Sequence, residues 1–145
     1  MQRELAIFDH QEVIAVSSEL LERLTRFGQS AWSEALAVAH HRDSALSNLS
    51  EVEVSLVDDE TIADVHMRFM DIPGATDVIT FNHGEIHISV ETARSQAEEY
   101  QHDFERELAL YVIHGLLHLA GHEDASELGA STMAEHQERI LSMLW

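Results

Sequence analysis

The sequence predicts an α+β domain, a small mixed sheet packed with about five helices, and three observations carry that expectation. Two stretches, Ser50-Glu51-Val52-Glu53-Val54-Ser55-Leu56-Val57 and Glu85-Ile86-His87-Ile88-Ser89-Val90, alternate polar and apolar residues as half-buried strands do. Longer segments on either side of them place apolar residues at helical spacing. With 145 residues, 45% of them hydrophobic, the chain can bury one ordinary core, and a single domain over residues 1–145 is expected.

The elements follow in order. From Ser17 to His41, Leu20, Leu21, Leu24, Phe27, Ala31, Trp32, Ala35 and Leu36 recur at helical spacing, with a break expected at Gly28. The strand at 50–57 stops at Asp58-Asp59, and a helix from Thr61 to about Phe69 follows. Pro73-Gly74 marks a turn. Asp77 to Phe81 is a short β-branched run, joined to the strand at Glu85 by Asn82-His83-Gly84, which suits a tight hairpin. Glu91 to Tyr100 is an Ala- and Glu-rich helix. Asp103 is placed to cap the next helix, with Glu105 and Glu107 in its first turns where the dipole favours acids. That long helix runs to Ala120 and stops at Gly121, a residue suited to a left-handed cap. Glu127 to Leu144 is the last helix, with Met133, Ile140, Leu141 and Leu144 as its apolar stripe.

Composition narrows the function. Eight basic residues, all arginine, stand against 27 acidic ones, for a formal charge of −19. Such a chain is repelled by bulk nucleic acid and by anionic membranes, so any nucleic-acid role needs a local arginine or metal patch. The absence of cysteine removes disulfides, thiolate metal sites and cysteine nucleophiles together. Glu4 and Asp9 interrupt the first ten residues, which argues against a signal peptide, and Leu108 to Ala120 is too short to span a bilayer. A soluble cytoplasmic protein with no membrane role is the expectation. Eleven histidines call for a metal search.

That search ends at His114-Gly115-Leu116-Leu117-His118-Leu119-Ala120-Gly121-His122-Glu123-Asp124. Histidines four apart on a helix share a face and can reach one ion. Gly121 lets the chain turn back, so that His122 or Asp124 can close a third corner. Three protein ligands and one open position make a catalytic zinc site, here on a long central helix. Unpaired imidazoles in so apolar a helix would cost free energy that a metal offsets. Zinc peptidases carry a glutamate after the first histidine; Gly115 cannot transfer a proton.

From about Val52 onward the chain resembles the YbeY family of bacterial metal-dependent endoribonucleases. The segment from His114 is similar to the family's His-Gly-x-Leu-His-Leu-x-Gly-Tyr-Asp-His. Val54 to Asp59 is similar to its second strand, Thr76-Asp77-Val78-Ile79-Thr80-Phe81 to its Thr-Asp-Val-Leu-Ser-Phe, and Gly84 to Ser89 to its Gly-Asp-Ile-x-Ile-Ser. The resemblance implies a four-stranded sheet and one zinc ion per chain, bound by three side chains. It implies a single-strand-specific endoribonuclease that matures the 3′ end of small-subunit rRNA and serves ribosome quality control. Its partners would be ribosomal RNA and the small subunit, then ribosomal proteins or a ribosome-associated GTPase. Carried over by position, the ligands are His114, His118 and Asp124, which replaces the family's third histidine; His122, in place of tyrosine, is the substitute ligand. The catalytic set is His114, Arg68 and Glu123. Met70 stands where the family has a phosphate-contacting arginine, two positions from Arg68, and the loop from Phe81 to Gly84 is short.

Several side chains have weaker claims. His122 and His83 join Glu123 as candidates for the general acid, Asp77 could orient a ligand histidine, and Glu107 shares the face of His114. His102 reads as capping or packing, and His10, His40, His41, His66 and His136 show no constellation. Arg23, Arg26, Arg42 and Arg68 read as scattered surface arginines. Two further functions compete: a non-catalytic, metal-containing ribosome-assembly factor, favoured by the missing arginine and the charge, and a zinc hydrolase of amide bonds, opposed by Gly115.

Overall fold

A computed structural model describes residues 2–145 and contains a four-stranded sheet with five α-helices. In chain order these are β1 (Glu4–Asp9), α1 (Ser18–Ala37), β2 (Glu51–Val57), α2 (Asp59–Met70), β3 (Val78–Phe81), β4 (Glu85–Ser89), α3 (Val90–Tyr100), α4 (Phe104–Leu119) and α5 (Glu127–Leu144). The strands lie in the order β1-β2-β4-β3. β1 and β2 are parallel, as are β2 and β4, while β3 and β4 form the expected antiparallel hairpin. Parallel neighbours need a crossover, and α1 supplies it between β1 and β2.

Alternation along the strands gives the sheet two unlike faces. Val52, Val54 and Leu56 on β2, with Ile86 and Ile88 on β4, are fully buried in the main core with residues of α1 and α4. On the other face, Val57 and Ile79 meet Ile62 of α2 in a smaller cluster.

Three expectations need correction. β1 was not anticipated: its six residues pair with a strand far along the chain, and nothing local marks it. α1 does not break at Gly28, which is buried mid-helix where a Cβ would lie 2.8 Å from Leu5 Cδ2 and 3.3 Å from Val112 Cγ1. The glycine is there for close packing, not for a bend. Asp103 holds the N-cap position of α4, but its side chain makes no capping hydrogen bond. Gly121, at φ +97°, does make the left-handed turn after α4.

Candidate metal centre

α4 packs against α1, α3, α5 and the sheet, so most of its surface is apolar and buried. His114 and His118 interrupt that surface one turn apart, half-buried, with ring centroids 4.5 Å apart. Past Gly121 the chain brings Asp124 over them. Its Oδ2 lies 3.6 Å from His114 Nε2 and 3.8 Å from His118 Nε2. These three side chains form the one group among the described residues whose potential ligand atoms all fall within 4.8 Å.

Each imidazole is held by its other nitrogen. His114 Nδ1 donates to Gln137 Oε1 on α5 at 2.6 Å, and His118 Nδ1 donates to the His122 carbonyl at 3.0 Å. With Nδ1 protonated on both rings, both Nε2 atoms present lone pairs, yet they lie 3.0 Å apart. Two acceptors at that distance repel unless a proton or a metal ion lies between or beside them. Ligand bonds of about 2.0–2.2 Å in a tetrahedral arrangement place ligand atoms roughly 3.3–3.6 Å apart, close to the triangle seen here. The donor set therefore fits a metal ion. Burial, and then the neighbouring His114, hold His118 below the usual imidazole range against the opposing Asp124 carboxylate; the neutral ring is the ligand form.

His122, the substitute ligand, is turned elsewhere. Only 6% exposed, it donates from Nε2 to the Val38 carbonyl at 2.7 Å, and its contribution to the triad is the backbone oxygen that fixes His118. Glu123 is exposed beside Asp124, near enough for its charge to act on His118. Arg68 is not brought to the triad: it lies on α2, which packs on the opposite face of the sheet, and its exposed guanidinium binds Asp64 at 2.8 Å. Met70 is exposed alongside Met67, Phe69 and Ile72. Gly115 packs on β4, where a Cβ would sit 2.8 Å from Ile86 Cγ2, so a peptidase glutamate has no room there.

The remaining candidates resolve individually. Asp77 does not orient a ligand histidine; its Oδ1 accepts from the Val78 amide at 2.8 Å and from the Thr76 hydroxyl at 3.3 Å. Glu107 is 4% exposed, 3.4 Å from His102, so it is a buried member of the core boundary and more than a dipole acid. Burial, then Glu107 and Asp77, push the neighbouring Tyr111 phenol far above its usual range. His83 pairs with Glu85 in the hairpin. His40, His122 and His136, unlinked in sequence, come together, with ring centroids 5.8 and 5.2 Å from that of His122. Arg23 stacks on Trp145 at 3.7 Å, away from Arg68. Gln137 is the site residue that spacing missed, because it arrives from another helix and glutamine carries no motif.

Comparison with known proteins agrees with this architecture. The family model described as Endoribonuclease YbeY matches residues 10–145. The Endoribonuclease YbeY of Moorella thermoacetica is 34% identical, over 96% of both chains. That of Symbiobacterium thermophilum is 32% identical over 97% of both. A solution structure of a Thermotoga maritima protein superposes with a TM-score of 0.63 at 28% identity, covering 100% of this chain and 89% of that one. A match over nearly the whole chain, on a fold that brings His114, His118 and Asp124 together, places the chain in the endoribonuclease YbeY family.

Proposed function

We propose that this chain is a zinc-dependent, single-strand-specific endoribonuclease of the cytoplasm. In this reading it matures the 3′ end of small-subunit rRNA and serves ribosome quality control. The observation that carries the metal-dependent reading is the convergence of two Nε2 lone pairs and one carboxylate, each imidazole fixed from behind. Family membership supports RNA as the substrate. Ribosomal RNA and the small subunit are the proposed partners, with ribosomal proteins or a ribosome-associated GTPase beside them.

Zinc, when bound, supplies a water activated near neutral pH and positive charge for a phosphate. The residues do the rest. His114 and His118 present Nε2 in the tautomer that Gln137 and the His122 carbonyl hold. Asp124 lowers the net charge of the centre and closes the third corner. Glu123, exposed at the rim, is assigned the proton that the leaving oxygen needs. Arg68, on the far face of the sheet and paired with Asp64, supplies nothing to a phosphate at the triad.

That pairing favours a second reading, a non-catalytic assembly factor that keeps its metal for structure. Cleavage of a short RNA copying the precursor end of small-subunit rRNA separates the two. Zinc-loaded wild type should cut it and His118→Ala, purified identically, should not. Cleavage by neither protein supports the assembly factor, and equal cleavage by both indicates a contaminating nuclease.

A further inference from the structure

Beside the triad lies a second concavity of about 250 Å³ that none of the three candidate ligands lines. Its walls include His40, His122, Glu123, Leu128, Gly129 and Thr132. The turn after α4 is the partition between the two sites. The His122 carbonyl faces His118 Nδ1, His122 also lines the cavity, and Asp124 follows two residues later on the metal side. The His122 ring cannot swing, because its Nε2 is tied to the Val38 carbonyl at 2.7 Å. His40 is inclined 51° to it, with ring centroids 5.8 Å apart. At the mouth, Leu128 is 79% exposed, a large apolar side chain with no neighbour to cover it.

The lining selects the occupant. Two histidines, an exposed leucine and a threonine among the lining residues suit a flat, uncharged heterocycle with polar edges. Glu123 lines the wall and no arginine does, so nothing there attracts a phosphate. The volume falls below the roughly 300–1,000 Å³ of pockets for drug-sized ligands, so it accommodates one ring system. Single-stranded RNA offers such groups, since its unstacked bases are taken up against histidine and other ring faces.

We propose that this cavity is a nucleobase subsite, holding one unstacked base of a single-stranded RNA beside the phosphate that meets His114, His118 and Asp124. The inference rests on the nuclease reading for bringing RNA to the triad. It makes His40, His122, Leu128 and Thr132 determinants of sequence preference, separate from the metal ligands.

The test uses the full chain, with and without zinc, and a short single-stranded RNA carrying 2-aminopurine at each position in turn. Fluorescence at one position should be quenched on binding. Thr132→Leu, which fills the cavity, and His40→Ala, which removes an exposed wall without disturbing the core, should each weaken that binding about tenfold and leave zinc stoichiometry unchanged. With zinc, wild type should prefer one base next to the cut, and both variants should lose the preference. Absence of quenching at every position, with and without zinc, overturns the subsite. So does cleavage that shows no base preference in wild type. Quenching that the two variants abolish, without cleavage, keeps the subsite and removes the nuclease reading alone.

Discussion

At the scale of single residues, the candidate centre depends on what stands behind the ligands. Gln137 holds the tautomer of His114 through a 2.6 Å hydrogen bond, and such partners typically carry about 10–100-fold in metal affinity. Gln137→Leu should therefore lower zinc affinity by about tenfold or more in a chelator competition, with the circular dichroism spectrum unchanged. Asp124→Ala should cost more affinity still. His122→Ala should instead lower stability and leave one zinc per chain, because its ring bonds to Val38 and its carbonyl survives the substitution. Equal zinc loss in the Asp124 and His122 variants would refute the ligand assignment. The juxtaposition of His114 and His118 was legible in the sequence because residues four apart on a helix are neighbours by construction. Gln137 and His40 were not, since only tertiary packing delivers α5 and the segment after α1 to the end of α4.

At the scale of elements, α4 is positioned by contact with the sheet. Gly115 lets the helix lie on Ile86, whose Cγ2, Cδ1 and Cγ1 would stand 2.8, 2.9 and 3.2 Å from an added Cβ. Ile86 is β-branched, fully buried and fixed in the sheet, so it has little room to yield. Gly115→Ala should destabilise the protein by about 1–3 kcal/mol despite its better helix propensity. Urea denaturation measures it, and a stabilised variant would show that the helix can lift freely. α2 offers a titratable counterpart. Asp58 caps it by accepting from the Thr61 amide at 2.8 Å, and hydrogen bonding from the Thr61 hydroxyl and then from that amide holds the carboxyl below its ordinary value of 3.8. A depressed folded value means the contribution is complete above the unfolded value and is lost as pH falls through the folded one. Asp58→Ala should thus cost about 1 kcal/mol at neutral pH. The difference from wild type should shrink as the pH is taken below 3.8, in denaturation curves measured across that range. A constant difference down to the acid limit would rule out the charged cap. The helix end at Gly121 could be read in the sequence because the left-handed turn is local chemistry. The missing cap bond at Asp103 and the unbroken helix at Gly28 could not, because each is decided by what packs alongside.

At the scale of the whole molecule, the formal charge of −19 sets a repulsive field that folding compresses. Salt screens it over about 10 Å at 0.1 M. The melting temperature should therefore rise between low salt and physiological ionic strength, as calorimetry would record; a fall would mean that the ion pairs of Arg68, Arg106 and Arg139 outweigh the repulsion. The α+β class was evident from two alternating strands and five helical stretches, but strand order was not. Leu5 pairs with Val52, and nothing in six residues at one end of a chain announces a partner so far away. That pairing has its own consequence. β1 is an edge strand tied down by a long loop closure and by Leu5 seated on Gly28, which makes it the strand expected to detach first in local opening. Each such opening bares the backbone ladder of β2, whose Val52, Val54, Leu56 and Val57 would offer a template to another copy. Glu51 precedes those residues and Glu53 interrupts them on the newly freed edge, where like charge keeps two opened chains from joining.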